Sequence, residues 1–152
     1  MDNLTHALVG LAMGHAGLKR RTPLALTTLA VAANVPDIDV AVFATGTLPM
    51  YFRRGWTHGP IAMVVLPVLV AVAVVWWDRR VRQRRASPPP PVVPREVLLL
   101  AALGTWSHPV MDYMNSYGIR LLMPFSGRWF YGDALYIVDP WLYVLLGAGA
   151  WL

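Results

Sequence analysis

No cysteine occurs among the 152 residues, which excludes disulfides and thiolate metal sites. Charge is scarce as well. Charged side chains make up 14% of the chain, against about 25% in an ordinary soluble domain. Hydrophobic residues supply 57%, and the mean hydropathy is +0.48. So small a polar complement excludes a fully water-solvated surface and fits lipid as the outer solvent. The N-terminus, Met1-Asp2-Asn3, lacks the basic segment and small-residue cleavage site of a secretory signal, so a cleaved leader is not expected. The length suits one domain, and residues 1–152 read as a single membrane-embedded unit.

The longest apolar run is Ile61 to Trp77, bounded by Gly59-Pro60 and Asp78-Arg79-Arg80. It comes close to the roughly 20 residues that cross a bilayer. Val97 to Asp112 is a second candidate. Leu4 to Leu18 and Leu24 to Val35 predict a helical hairpin joined by Lys19-Arg20-Arg21. Trp141 to Leu152 is apolar to its last residue but spans only roughly 18 Å at the α-helical rise. Either that helix stops inside the membrane or the natural chain is longer. The fold class expected is all-α, a polytopic transmembrane bundle of about four to five membrane-embedded helices.

Thirteen Lys and Arg stand against eight Asp and Glu, a net charge of +5. Arg79 to Arg95 holds six arginines and five prolines. Such a composition buries no apolar surface, so residues 79–96 read as a basic, Pro-rich loop. Lys/Arg-rich loops stay in the cytoplasm, which places this loop and Lys19 to Arg21 on that side.

Counting from this basic edge, His6 lies 13 residues before Lys19 and Asp37 lies 16 after Arg21. His58 lies 21 before Arg79, and His108 lies 13 after Arg95. At 1.5 Å per residue these are depths of roughly 20 to 31 Å in a core of about 30 Å. Four alternating helices thus bring four ionisable residues to one level, toward the outer leaflet. Ionisable residues in apolar helices are costly and point to function.

The chemistry of each motif has two readings. His108 and Asp112, four apart, share a helix face and suit one metal ion, or else form a hydrogen bond capping a helix end. Pro109 between them predicts a kink. Asp37 and Asp39 in Pro36-Asp37-Ile38-Asp39 form a carboxylate pair whose repulsion a cation relieves, or a helix cap beside a proline turn. His58, at the start of the long helix, is disfavoured as a cation by the helix dipole, and neutral imidazole is the form that binds metal. Arg53, Arg54 and Trp56 read as interfacial residues. Gly10 and Gly14 follow His6 in steps of four, which predicts a close helix contact and turns His6 into the bundle. His15 is out of phase with His6 and reads as structural. Tyr113 to Pro140 is an aromatic-rich outer connection, where Arg120 and Arg128 suit a phosphate or lipid headgroups. Asp133 and Asp139 are further candidate ligands, with Asp139-Pro140 equally a helix start.

The ordered set Leu4-Thr5-His6, Pro36-Asp37-Ile38-Asp39, Arg54-Gly55-Trp56-Thr57-His58 and Ser107-His108-Pro109-Val110-Met111-Asp112 resembles the YdjM-type membrane-bound metal-dependent hydrolases of the bacterial inner membrane. The likeness runs to about Asp139 and includes Leu121-Leu122-Met123-Pro124 after Gly118. A more distant likeness is to zinc-dependent phospholipase C and the single-strand nucleases. Carried over by position, it implies Asp37 or Asp39, His58, His108 and Asp112 around one metal, with His6 serving a second. No His-x-x-x-Glu follows His108, so a trinuclear cluster is not implied.

The reading that follows is a multi-pass inner-membrane hydrolase using one or two divalent ions, zinc by preference. It would cut phosphoester bonds in a lipid or lipid-linked substrate. Asp37, His58, His108 and Asp112 hold the metal and Asp39 is a further ligand or general base. Arg120 or Arg128 balances the phosphate, and Asn34, Thr57 and Asn115 orient ligands. Membrane lipids are the expected partners, and no nucleic acid is expected. The alternatives are a metal-stabilised scaffold or ion-handling bundle without catalysis, and a chain that binds no metal.

Overall fold

A computed structural model describes residues 1–45 and 53–151. They form five α-helices: α1 (Asn3–His15), α2 (Ala25–Asn34), α3 (Pro60–Trp77), α4 (Pro94–Met114) and α5 (Pro140–Trp151). Among the described residues there are no strands, only two isolated bridges, Asn115 with Leu135 and Ile119 with Phe130. The all-helical expectation holds.

The N-terminal hairpin forms where the apolar runs predict it. Asp2 caps α1 by accepting from the backbone N–H of Leu4 at 3.0 Å and of Thr5 at 3.1 Å, which satisfies two of the helix's orphan donors. The turn between α1 and α2 contains a 3-10 stretch at Leu18–Arg20. A longer 3-10 stretch, Val35–Thr45, follows α2 and carries Asp37 and Asp39.

Helix α2 is the centre of the packing, with α1 on one side and α4 on the other. Glycines set both spacings. A Cβ on Gly10 of α1 would lie 2.7 Å from the carbonyl oxygen of Leu29. One on Gly104 of α4 would lie 2.8 Å from the Ala32 Cβ and 2.9 Å from the same Leu29 oxygen. Backbones can approach this closely only where side chains are missing. Gly14, like Gly10, faces α2, meeting Leu26.

Helix α4 buries Val97, Leu100, Ala101, Gly104, Thr105, His108, Pro109 and Asp112, a single stripe at helical spacing. The stripe starts apolar and ends polar. The helix begins at Pro94, earlier than the apolar run suggests, because proline suits the first turn. It continues through Pro109 without ending there.

Helix α3 is built the other way round. Val64, Leu69, Val72 and Trp76 face outward, and only Pro67, Val70 and Ala71 are buried. An apolar surface of this extent demands a non-aqueous partner. With the π turn Asp78–Arg82 it forms a 23-residue segment, Pro60–Arg82, long and apolar enough to cross a membrane. It is the one such helix among the described residues.

The basic segment is more ordered than its composition suggests. Asp78 is buried and gathers it, pairing with Arg82 and accepting from Gln83 at 3.3 Å and from the Val92 N–H at 3.1 Å. The Val93 N–H donates to Thr22 at 2.8 Å. Helical structure therefore runs through Arg82 and resumes at Pro94, leaving a connection shorter than 79–96.

Candidate metal centre

The polar end of the α4 stripe meets the 3-10 stretch after α2 and the turn before α3. Because Gly104 lets α2 come close, the Ala33 carbonyl oxygen lies 2.6 Å from His108 Nδ1. A carbonyl only accepts, so Nδ1 carries the proton and Nε2 presents a bare lone pair.

His58 is set by a relay. Asp39 Oδ2 accepts from the Thr57 hydroxyl at 3.2 Å and the Arg54 backbone N–H at 2.8 Å. The single Thr57 proton is used there, so its oxygen accepts from His58 Nδ1, 2.8 Å away. His58 Nε2 is then bare as well. Burial, the largest influence, holds the His58 imidazole below its ordinary range despite nearby carboxylates.

The two Nε2 atoms face each other at 3.0 Å. Asp112 Oδ2 lies 3.5 Å from each, and Asp37 Oδ1 lies 4.0 Å from His58 Nε2 and 3.8 Å from His108 Nε2. The ligand atoms of these four buried residues all lie within 4.8 Å of one another. Zinc held tetrahedrally at about 2.0–2.1 Å spaces its ligands by roughly 3.3–3.4 Å. Two imidazole nitrogens and two carboxylate oxygens grouped at 3.0–4.8 Å could hold a divalent cation.

His6 is buried beside this group. Its ring stacks on His108 with centroids 3.6 Å apart, and its Nε2 lies 3.4 Å from Asp112 Oδ1. Neither of its ring nitrogens has a hydrogen bond among the described residues. The Met1 amino group pairs with Asp112 too.

Arg54, read from sequence as an interfacial arginine, is instead buried at the centre. Its Nε lies 3.3 Å from Asp112 Oδ2, and its Nη1 donates to Asn115 Oδ1 and the Gly118 carbonyl, both at 3.1 Å. The guanidinium stacks on Tyr117. Its left-handed backbone, φ 53°, turns it inward. Arg53 bridges the carboxylate pair, 3.3 Å from Asp37 and 3.7 Å from Asp39. Trp56 is exposed.

The other expected site residues divide. Asp39 sits behind His58. Thr57 and Asn115 do orient site groups, whereas the Asn34 amide donates to Ala30 of its own helix. Arg120 donates to the Arg53 carbonyl at 3.1 Å and packs over Trp129. Arg128 is exposed, over Phe130. Neither joins the four-ligand group. Asp139 caps α5, accepting from Trp141 and Leu142, Asp133 is exposed, and His15 contacts Lys19.

A pocket of about 390 Å³ is lined by Met1, Asp2, Asn3, Arg53, Arg54, Tyr117 and Ile137. Met1, Arg53 and Arg54 are the lining residues that contact the carboxylates of the centre. The pocket carries positive charge where these residues meet the carboxylates, while none of the four candidate ligands lines it.

Over residues 1–152 the sequence matches the family described as YdjM inner membrane protein. No curated protein and no solved structure matches it.

Proposed function

The chain belongs to the YdjM inner membrane protein family, and on that premise we propose that it is a membrane-bound metal-dependent hydrolase acting on phosphoester bonds of a lipid or lipid-linked substrate. One observation carries the reading: the ligand atoms of Asp37, His58, His108 and Asp112, all four buried, lie within 4.8 Å of one another. These residues would hold the ion, zinc by preference for a nitrogen and oxygen ligand set. When bound, a divalent cation supplies Lewis-acid chemistry that makes water a usable nucleophile near neutral pH.

The chain's own residues supply the rest. The Ala33 carbonyl and the Asp39–Thr57 relay fix the two imidazoles. Arg54 offsets the charge of Asp112. Arg53, partly exposed at the pocket wall, is placed to meet an anionic substrate group as it enters, a role that fits it better than Arg120 or Arg128. His6 is available to a second ion. The outward apolar face of α3 supports a membrane setting. We read the remaining helices as membrane-embedded, the basic segments as cytoplasmic and the centre as lying toward the outer leaflet.

The test is a metal and activity assay on the detergent-purified protein. Elemental mass spectrometry should find about one zinc per chain, reduced at least tenfold in His108→Ala and Asp112→Ala, together with hydrolysis of phosphodiester lipids. Metal retained undiminished in both variants removes these ligands from the centre. Metal retained by the parent protein, with no phosphoester lipid cleaved, leaves the scaffold reading.

A further inference from the structure

A second feature lies away from the centre, on the outward side of α3. Between α3 and α4 runs a groove of about 490 Å³, walled by Val68, Val72 and Trp76 of α3 and Leu98 of α4, with Arg79 and Arg80 at one end. Its volume is that of a ligand pocket. Val72 is 61% exposed and Trp76 58%, so the apolar wall faces the surroundings and is not filled by the protein. Val68 and Arg79 are separated by roughly 17 Å along the helix, a little over half of a bilayer core of about 30 Å.

The cations at its end are uncommitted. The Asp78 carboxylate is taken by Arg82, Gln83 and the Val92 N–H. Arg79 and Arg80 are exposed and have no ion pair or hydrogen bond among the described residues. An apolar slot about one leaflet deep, ending in two unpaired guanidinium groups, matches a molecule with an acyl chain and an anionic head.

We propose that this groove binds one anionic phospholipid, its acyl chain along Val68, Val72 and Trp76 and its phosphate on Arg79 and Arg80. The site is independent of the metal centre and of any hydrolysis there. A lipid so held would anchor the basic end of α3 at the membrane surface.

Native mass spectrometry of the full chain, released from mixed micelles of phosphatidylglycerol and phosphatidylcholine in equal amounts, tests it. One phosphatidylglycerol should be retained in preference to phosphatidylcholine. Arg79→Gln with Arg80→Gln should reduce that retention about tenfold or more, and Val72→Trp, which fills the slot, should also reduce it. Arg84→Gln with Arg85→Gln removes the same charge outside the groove and should leave retention intact. Equal retention of the two lipids overturns the proposal, as does an equal loss in both double variants, which would mark a diffuse charge effect.

Discussion

Nε2 of His58 and Nε2 of His108 lie 3.0 Å apart, and with Thr57 and the Ala33 carbonyl on the opposite ring nitrogens two neutral rings would turn their lone pairs toward each other. Two lone pairs at that distance repel unless something positive lies between them. The same applies to the carboxylate oxygens of Asp37 and Asp112 around them.

A cation should therefore stabilise the fold as well as the site. Adding zinc to a hundred times its dissociation constant should contribute about 2.7 kcal/mol, a rise of roughly 5–10 °C in Tm for a chain of this size. Chelation should reverse it. Thermal melts with and without chelator check this, and a Tm indifferent to zinc would count against the centre.

Thr57→Val keeps the shape of the side chain but removes the hydroxyl between Asp39 and His58. Loss of such an orienting partner typically costs 10–100-fold in metal affinity. Zinc competition titration should show that drop while helix content stays unchanged by circular dichroism.

Gly104→Ala should hurt twice. The added methyl would stand 2.8 Å from Ala32 and 2.9 Å from the Leu29 oxygen, an overpacking that costs about 1–3 kcal/mol. It would also push α2, with the Ala33 carbonyl, away from His108. Stability and zinc affinity should fall together. Gly147→Ala, where a Cβ meets nothing within 4 Å, should change neither.

Arg54→Ala should be the most damaging of the arginine substitutions near the outer connection. It leaves the buried Asp112 without its guanidinium partner, and breaking a buried pair costs about 3–5 kcal/mol. Arg128→Ala, exposed over Phe130, should stay within about 0.5 kcal/mol. Denaturation midpoints of the two variants make the comparison.

The helical hairpin, the outward α3 and the polar end of the α4 stripe were all legible in the sequence. Each is written in local periodicity, and lipid-facing or core-facing residues repeat at the spacing of the element that carries them. His108 and Asp112 shared a face for the same reason. Arg54 was not legible. Its inward turn depends on a left-handed backbone and on Asn115 and Gly118, more than sixty residues away, and a residue's type says nothing of such partners. Arg120 and Arg128 were placed on a phosphate by charge alone, and charge does not reveal direction. Asp78 was passed over as a helix flank because its ordering of the basic segment runs through the Val92 N–H, a backbone group invisible to composition. The stretch around Asp37 and Asp39 looked like a turn and is a 3-10 helix, which carries the two carboxylates to the centre and to the relay behind it.

Asp112 has His6, His58, His108, Arg54 and the Met1 amino group within 3.5 Å of its two oxygens. A group shared so widely ties the fate of one neighbour to that of the others. Energies of substitutions around it will not sum, since removing one partner changes what the remaining ones are worth. The cost of replacing His6 and Arg54 together will therefore differ from the sum of the two single costs, and α1, α4 and the turn before α3 are bound to one another through a single carboxylate.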